Sequence, residues 1–259
     1  MLLAIDSGNT HTVFGIWDGS AWKAIWRRST NPAETEDELA AWLKGMHDLA
    51  CIELDVDAVI IGSVVPQADS HLDLLCRRWL KVKPVFLKGG PDVGLEVDYD
   101  PPHAVGADRI ANALAAISLF KPPVVVVDFG TATTFDSIDC NGVYVGGAIL
   151  PGVEIASRAL VERTAKLPQI DLRAPETAIG KNTVHSLQSG VMLGYAGAID
   201  ALAGRIDREL GGGSTIVATG GLGGVFVELC ESIQSYRETL TLDGLMLAHA
   251  RLSTTRRNP

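Results

Sequence analysis

Apolar runs alternate with polar loops along the whole chain, and their lengths and periods predict a mixed α/β protein. The first half is predicted to hold strands at 2–6, 11–18, 21–29, 57–65 and 84–88, with helices at 35–50 and 67–80. The second half opens with the strands "VVVVDFG", "TTFDSID" and "VYVGGAIL". Helices are then predicted near 152–165 and 183–209, a strand at "STIVATG" and a last helix near 242–251. The order of three strands followed by alternating helices and strands therefore occurs twice.

The two halves share a polar loop after their first strand. The segment "DSGNTHTVFGIWDG" aligns with "DFGTATTFDSIDCNG", and each hairpin ends at an Asp-Gly or Asn-Gly turn. The aligned residues are Asp6 with Asp128, Gly8 with Gly130, Thr12 with Thr134, and Ile16 with Ile138. One Asp-x-Gly is common in turns, but two at the same junction, half a chain apart, indicate a duplication. We predict two similar α/β domains, residues 1–118 and 119–259, with a ligand cleft between them.

The composition of the two loops indicates phosphate binding. Loops rich in Gly, Thr, Ser and Asn offer backbone N–H groups and hydroxyls to an anion, and glycine allows a close approach. The carboxylates of Asp6 and Asp128 need a cation between them and a phosphate, and magnesium is the usual one. A third glycine cluster, "ATGGLGG" at 218–224, lies between a strand and an apparent helix, where adenosine or a phosphate could bind. Each cluster taken alone also fits a simple tight turn.

Charge and cysteine usage narrow the class of protein. The formal net charge of −9 argues against a nucleic-acid surface, and the basic cluster of Arg251, Arg256 and Arg257 is expected to be a solvated end. Asp6 interrupts the first apolar run, and no apolar segment approaches the roughly 20 residues of a membrane span. The four cysteines lack metal or disulfide spacing. We therefore expect a cytoplasmic protein that binds neither membrane nor nucleic acid.

The chain resembles the type III pantothenate kinases, which belong to the superfamily of acetate and sugar kinases, actin and heat-shock chaperone ATPases. The resemblance covers nearly the whole chain, and GADR together with DFGTATT is its most specific part. Ser7 departs from it, because many members have an aliphatic residue there. The segments that carry it are "AIDSGNTHTVFGIWDG", "DPPHAVGADRIANALAA", "VVDFGTATTFD", "YVGGAILPG", "KLP", "IGKNTVHSLQSG", "ATGGL" and "LTLDGL". The fold it implies is two duplicated ribonuclease H-like domains with an interdomain nucleotide cleft.

The resemblance also implies a reaction and its residues. The γ-phosphoryl group of ATP would pass to the terminal hydroxyl of pantothenate, the first step toward coenzyme A, in a homodimer. ATP would be bound by Asp6, Ser7, Gly8, Asn9, Thr10, His11, Thr12, Val13 and Thr131. Pantothenate would be bound by Tyr99, Gly106, Ala107, Asp108, Arg109 and Thr183, with Asp108 as the general base. Asp128 would hold potassium or ammonium, and Asp6 would help to place Mg²⁺.

The residues themselves leave alternatives open. An Asp in the first turn of a helix, as at Asp108, is stabilising through the helix dipole without any catalytic role. Arg109 opposes that dipole, and a carboxylate substrate would give it a bidentate partner. A non-catalytic nucleotide-binding regulator on the same scaffold, and a kinase of another small alcohol or a sugar, are the competing interpretations. Composition and spacing do not identify pantothenate.

Overall fold

The structure, a computed structural model, describes residues 1–53 and 55–255. The chain divides into two compact units, unit 1 (Met1–Ala115 with Thr241–Pro259) and unit 2 (Ala116–Leu240). The predicted boundary after residue 118 is close to the observed division after Ala115. The predicted second domain extended to residue 259, whereas residues 241–259 belong to unit 1. Arg256 and Arg257 of the predicted basic end lie outside the described residues. Arg251 donates from Nη1 to the Val93 carbonyl at 2.8 Å, so its side chain is more than a solvated charge.

The elements follow the predicted order closely. In the first half they are β1 (Leu2–Ser7), β2 (His11–Trp17), β3 (Trp22–Ser29), α1 (Glu36–Ala50), β4 (Ala58–Ser63), α2 (Pro66–Leu74), β5 (Val85–Phe86) and α3 (Ala107–Leu119). In the second they are β6 (Val124–Phe129), β7 (Ala132–Ile138), β8 (Tyr144–Pro151), α4 (Val153–Glu162), α5 (Thr183–Glu209), β9 (Thr215–Thr219), α6 (Gly223–Leu229), β10 (Ser235–Tyr236) and α7 (Leu240–Thr255). The predicted helix at 67–80 is α2 continued by a π-helix over Leu75–Leu80.

The two units contain the same sheet. The strand order is β3-β2-β1-β4-β5 in unit 1, and in unit 2 it is β8-β7-β6-β9-β10. In each sheet the first strand is antiparallel to the second and parallel to the fourth. The predicted duplication of an α/β fold is therefore confirmed.

Strand register corrects the internal alignment. Asp6 pairs with Val13, whereas Asp128 pairs with Thr134, so the second hairpin loop is one residue shorter than the first. The matches of Thr12 with Thr134 and of Ile16 with Ile138 are wrong by one residue. The equivalent pairs are instead Thr12 with Thr133, Val13 with Thr134 and Trp17 with Ile138.

The hydrophobic cores of the two units correspond to each other, as their sheets do. Leu3, Ile5 and Phe14 are buried in the core of unit 1, and their counterparts Val125, Val127 and Phe135 are buried in the core of unit 2. Burying each such side chain contributes about 1.5–3 kcal/mol relative to leaving it exposed. The ends of the central strands, where Asp6 and Asp128 lie, are therefore held by rigid, buried segments.

Helix α7 completes unit 1 although it follows unit 2 in the chain. A Cβ on Gly244 would lie 1.9 Å from the Ala111 carbonyl oxygen, so α7 packs backbone against backbone on α3. Thr241 donates from Oγ1 to Asn112 Oδ1 at 2.8 Å in the same contact. Within the described part of the chain, no helix is long and apolar enough to cross a membrane.

Candidate functional site

The first polar loop joins β1 to β2 and exposes a short stretch of donors. The Gly8 N–H donates to the His11 carbonyl at 3.0 Å and closes the loop. Asn9, Thr10 and His11 are exposed, whereas Ser7 and Thr12 are buried. Among the first-loop residues predicted to bind nucleotide, the three at the tip are therefore the most accessible to a ligand.

Thr30, directly after β3, holds this loop from one side. Its N–H donates to the Thr10 carbonyl at 2.9 Å, and its hydroxyl donates to the Gly8 carbonyl at 2.6 Å. Thr30 was not among the predicted site residues. Its only sequence signal is a polar "STN" stretch after the third strand, which is also what an ordinary turn looks like.

The second polar loop joins β6 to β7 and is closed in the same way. The Gly130 N–H donates to the Ala132 carbonyl at 3.1 Å, and the Gly152 N–H donates to the Thr131 carbonyl at 3.1 Å. A Cβ on Gly152 would lie 2.4 Å from the Thr131 carbonyl oxygen, so only glycine fits there. Thr131 is exposed at the tip, where the sequence placed a contact with ATP.

The third glycine cluster lies against Asp128. A Cβ on Gly220 would be 2.5 Å from Asp128 Oδ1 and 2.6 Å from the Phe129 carbonyl oxygen. Gly220 also has φ +84°, a left-handed conformation that favours glycine. The structure therefore brings together two motifs of unit 2 that lie about ninety residues apart in the sequence.

Tyr236 supports the same cluster from β10. Its hydroxyl donates to the Gly220 carbonyl at 3.1 Å, and its ring lies 2.6 Å from where a Cβ on Gly223 would stand. The glycines at the start of α6 thus allow an aromatic ring to pack against the backbone. The cluster is therefore a tight turn that also lies close to Asp128, and its binding of adenosine or a phosphate stays a prediction.

The donor atoms around Asp128 suit a hard cation. A carboxylate oxygen and the Phe129 carbonyl oxygen both approach Gly220, and oxygen ligands of this kind bind magnesium and alkali cations. Among the described residues, no group of three or more His, Cys, Asp or Glu side chains could hold a metal ion by itself. A cation at Asp128 or Asp6 would therefore need further oxygens from the main chain, water or a ligand.

Asp108 lies in the first turn of α3, with Gly106 packed against it. The Arg109 backbone N–H donates to Asp108 Oδ1 at 2.8 Å, and a Cβ on Gly106 would lie 2.5 Å from the same oxygen. Burial raises the pKa of Asp108 above its ordinary value, while the amide and charge of Arg109 oppose that rise. The Arg109 side chain is only 8% exposed. The site thus holds a shielded carboxylate of enhanced basicity beside a buried guanidinium.

The remaining predicted substrate residues are divided between the units. Tyr99 is half-buried in the loop that leads to Gly106 in unit 1. Thr183 belongs to unit 2 and is exposed as the first residue of α5. The preceding Asn182 caps this helix by accepting from the His185 N–H at 2.9 Å.

Comparison with known proteins identifies the family. The family model described as type III pantothenate kinase matches residues 2–205. The type III pantothenate kinase of Rhodospirillum rubrum is 45% identical over 254 residues, which cover 97% of this chain and 98% of that protein. A structure described as a 2-dehydro-3-deoxygalactonokinase from Sinorhizobium meliloti has a TM-score of 0.61 at 14% identity and covers 96% of each chain. A structure described as a Baf family transcriptional activator from Campylobacter jejuni has a TM-score of 0.57 at 19% identity and covers 98% of this chain and 99% of its own. The two structures show a shared fold, and the sequence matches show that the chain belongs to the type III pantothenate kinase family.

Proposed function

We propose that the protein transfers the γ-phosphoryl group of ATP to the terminal hydroxyl of pantothenate, giving 4'-phosphopantothenate and ADP in the first step of coenzyme A synthesis. The observation that carries the proposal is the shielded Asp108 carboxylate, which belongs to GADR, one of the two most specific motifs of the resemblance. The full-length similarity to pantothenate kinases supports the choice of substrate.

Asp108 acts as the general base. It accepts the proton of the pantothenate hydroxyl while that oxygen bonds to the γ-phosphorus, and the bond between the γ-phosphorus and the β–γ bridging oxygen breaks to release ADP. The raised pKa of Asp108, which is caused by burial, makes its carboxylate a stronger base. General-base assistance contributes about 10²–10⁴-fold, and positioning and charge neutralisation supply the remaining acceleration.

The two loops bind the phosphates of ATP. The exposed tip of the first loop offers Asn9, Thr10 and His11, and the second loop offers Thr131. Asp6 would help to hold Mg²⁺, and Asp128 would hold potassium or ammonium with the Phe129 carbonyl beside it. Such cations neutralise the charge that phosphoryl transfer develops.

Pantothenate is recognised through its carboxylate and its amide-linked chain. Arg109 is the candidate partner of the carboxylate, because a guanidinium binds a carboxylate with two parallel hydrogen bonds. Tyr99, Gly106, Ala107 and Thr183 are proposed to contact the rest of the substrate.

We propose a homodimer formed through unit 2. Large apolar side chains are exposed on β8, on α4, on the segment before α5 and in the first turn of α5, namely Ile149, Ile155, Leu160, Ile179 and Val184. Exposed apolar patches are typical of association sites, and we propose that these side chains contribute to one. All four cysteines are free thiols, which fits a protein that works in the reducing cytoplasm.

A regulator that binds nucleotide without catalysis is the second candidate, because the fold is shared with the protein described as a transcriptional activator. The net charge of −9 disfavours direct DNA binding. An ADP-release assay decides between the candidates, with pantothenate tested against sugars and acetate, each with and without potassium. ADP release that depends on pantothenate supports the proposal. Release only with a sugar or acetate, or no release at all, contradicts it.

A further inference from the structure

We infer that Thr30 is a positioning residue that fixes the first loop through a directed chain of hydroxyl hydrogen bonds. The inference rests on the proposed function only in taking this loop to bind the phosphates of ATP. Thr30 lies outside the loop and outside every motif that identified the family.

Three contacts join Thr30 to the first hairpin. The Thr30 N–H donates to the Thr10 carbonyl at 2.9 Å, and the Thr30 hydroxyl donates to the Gly8 carbonyl at 2.6 Å. The Thr12 and Thr30 hydroxyl oxygens are 2.9 Å apart. One residue therefore holds the loop at both sides of its exposed tip.

The donor and acceptor of each hydroxyl hydrogen bond follow from the number of hydroxyl hydrogens. A hydroxyl has one hydrogen, and a carbonyl oxygen can only accept, so the hydrogen of Thr30 is committed to Gly8. The contact between the two threonines then needs Thr12 as its donor. Because the Thr12 hydrogen is used in this way, Thr12 supports the loop and has no hydroxyl hydrogen left for a phosphate.

Unit 2 shows which contact takes the place of these hydroxyl hydrogen bonds in the second loop. His11 pairs with Ser29 and Ala132 pairs with Pro151, so Thr30 and Gly152 occupy equivalent positions after the third strand of each sheet. A Cβ on Gly152 would lie 2.7 Å from the Gly130 carbonyl oxygen, which means that the shorter loop rests directly on the main chain. The first loop is one residue longer, and the Thr30 hydroxyl reaches the equivalent Gly8 carbonyl instead.

Beside Thr30 lies a small cavity that polar side chains line together with apolar ones such as Leu39 and Leu72. Ser7, Thr12 and Thr30 line this cavity of about 20 Å³, and the buried Ser7 hydroxyl has no hydrogen-bond partner among the described residues. Arg28, which also lines this cavity, forms an ion pair with Glu34. Without the Thr30 hydroxyl, the Gly8 carbonyl would lose its side-chain donor, and the tip of the loop would become less ordered.

The test compares three substitutions. Thr30→Val removes the hydroxyl and keeps the shape and the N–H, so we expect KM for ATP to rise about tenfold. KM for pantothenate should stay within about twofold, and Thr30→Ser, which keeps the hydroxyl, should restore KM for ATP to within about twofold of wild type. Thr254→Val is the matched control, because it removes a hydroxyl that donates to the Ala250 carbonyl at 2.6 Å on α7. Its kinetic constants should equal those of the wild type.

Two further measurements keep the inference testable. Calorimetric titration with ADP reports on the loop without any acceptor, and Thr30→Val should bind ADP about tenfold more weakly than the wild type. If Thr30→Val fails to fold, Thr12→Val, which removes only the first donor, should raise KM for ATP about threefold. Unchanged nucleotide binding in a folded Thr30→Val protein would overturn the inference, as would an equal rise in both KM values. A wild type that binds ADP and leaves pantothenate unphosphorylated would instead overturn the proposed function.

Discussion

Gly220 lies so close to Asp128 that a Cβ on Gly220 would stand 2.5 Å from Asp128 Oδ1. The two residues come from different motifs of the same unit, and the contact leaves the carboxylate and the Phe129 carbonyl facing the same glycine. Any side chain at position 220 must displace one of these oxygens.

Gly220→Ala should therefore disturb the proposed cation site as well as the backbone. We expect a loss of about 2–4 kcal/mol in the free energy of unfolding, because the left-handed φ and the collision both oppose the new Cβ. Gly213→Ala is the matched control, since Gly213 has φ +79° and nothing within 4 Å of an added Cβ. Gly213→Ala should lower the free energy of unfolding only through the left-handed backbone conformation, by about 1–2 kcal/mol. Urea unfolding of both variants measures the difference, and equal losses would contradict the close contact.

Replacing sodium by potassium or ammonium should raise the rate of ATP turnover if Asp128 holds a monovalent cation. Asp128→Asn should blunt that dependence, because the amide removes the negative charge while keeping its size. The measurement is the initial rate in matched chloride salts at constant ionic strength. Equal wild-type rates in all three salts would remove the idea of a cation at this site.

Asp108→Asn separates catalysis from helix stabilisation. The amide cannot accept the hydroxyl proton, so kcat should fall by about 10²-fold or more while ADP binding survives. If Asp108 only complements the dipole of α3, the change costs about 1 kcal/mol of stability or less and leaves kcat nearly unchanged. Because burial raises the pKa of Asp108, the acid limb of the wild-type kcat profile should lie above the ordinary aspartate pKa of about 3.9, with activity lost as the pH falls and the carboxyl protonates.

His47 should make the stability of unit 1 depend on pH. Its side chain is 2% exposed, its ring centroid lies 4.7 Å from that of Trp26, and neither ring nitrogen has a hydrogen-bond partner among the described residues. Burial lowers the pKa of His47, so the unfolded chain binds a proton below about pH 6.5 that the native chain does not. Stability should therefore fall as the pH drops from 7 to 5, and His47→Phe should reduce this fall. Identical slopes for both proteins in urea unfolding would contradict the assignment.

Ile149→Glu should weaken the proposed dimer, because it places a charge on a side chain that is 63% exposed on β8. Ile25→Glu on β3 is the control, since β3 is the equivalent edge strand of unit 1 and Ile25 is also exposed. Sedimentation velocity should show a dimer for the wild type and for Ile25→Glu, with dissociation in Ile149→Glu. A monomeric wild type would rule the dimer out.

The duplication could be predicted because the same strand pattern and Asp-x-Gly loop occur in both halves. The register of the second hairpin could not, because β2 and β7 are buried on both faces for much of their length and the apolar pattern does not reveal a slip of one residue. Thr30 was missed because it acts through its hydroxyl on a carbonyl 22 positions away, which leaves no periodic signal. The place of α7 was missed because it is set by contacts such as that of Gly244 with Ala111, which lies far back in the chain.

Because α7 belongs to unit 1 but follows unit 2 in the chain, the two units are completed at different times during synthesis. Unit 2 is one continuous stretch, so it can fold once its own residues have left the ribosome. Unit 1 is complete only after α7 has been made, because the Leu245 side chain covers Gly62 on β4 and Gly244 seats α7 on α3. The segment that carries the first loop is therefore translated first and stabilised last, and the nascent chain holds Asp6 and Asp108 in an unfinished unit until α7 has been made.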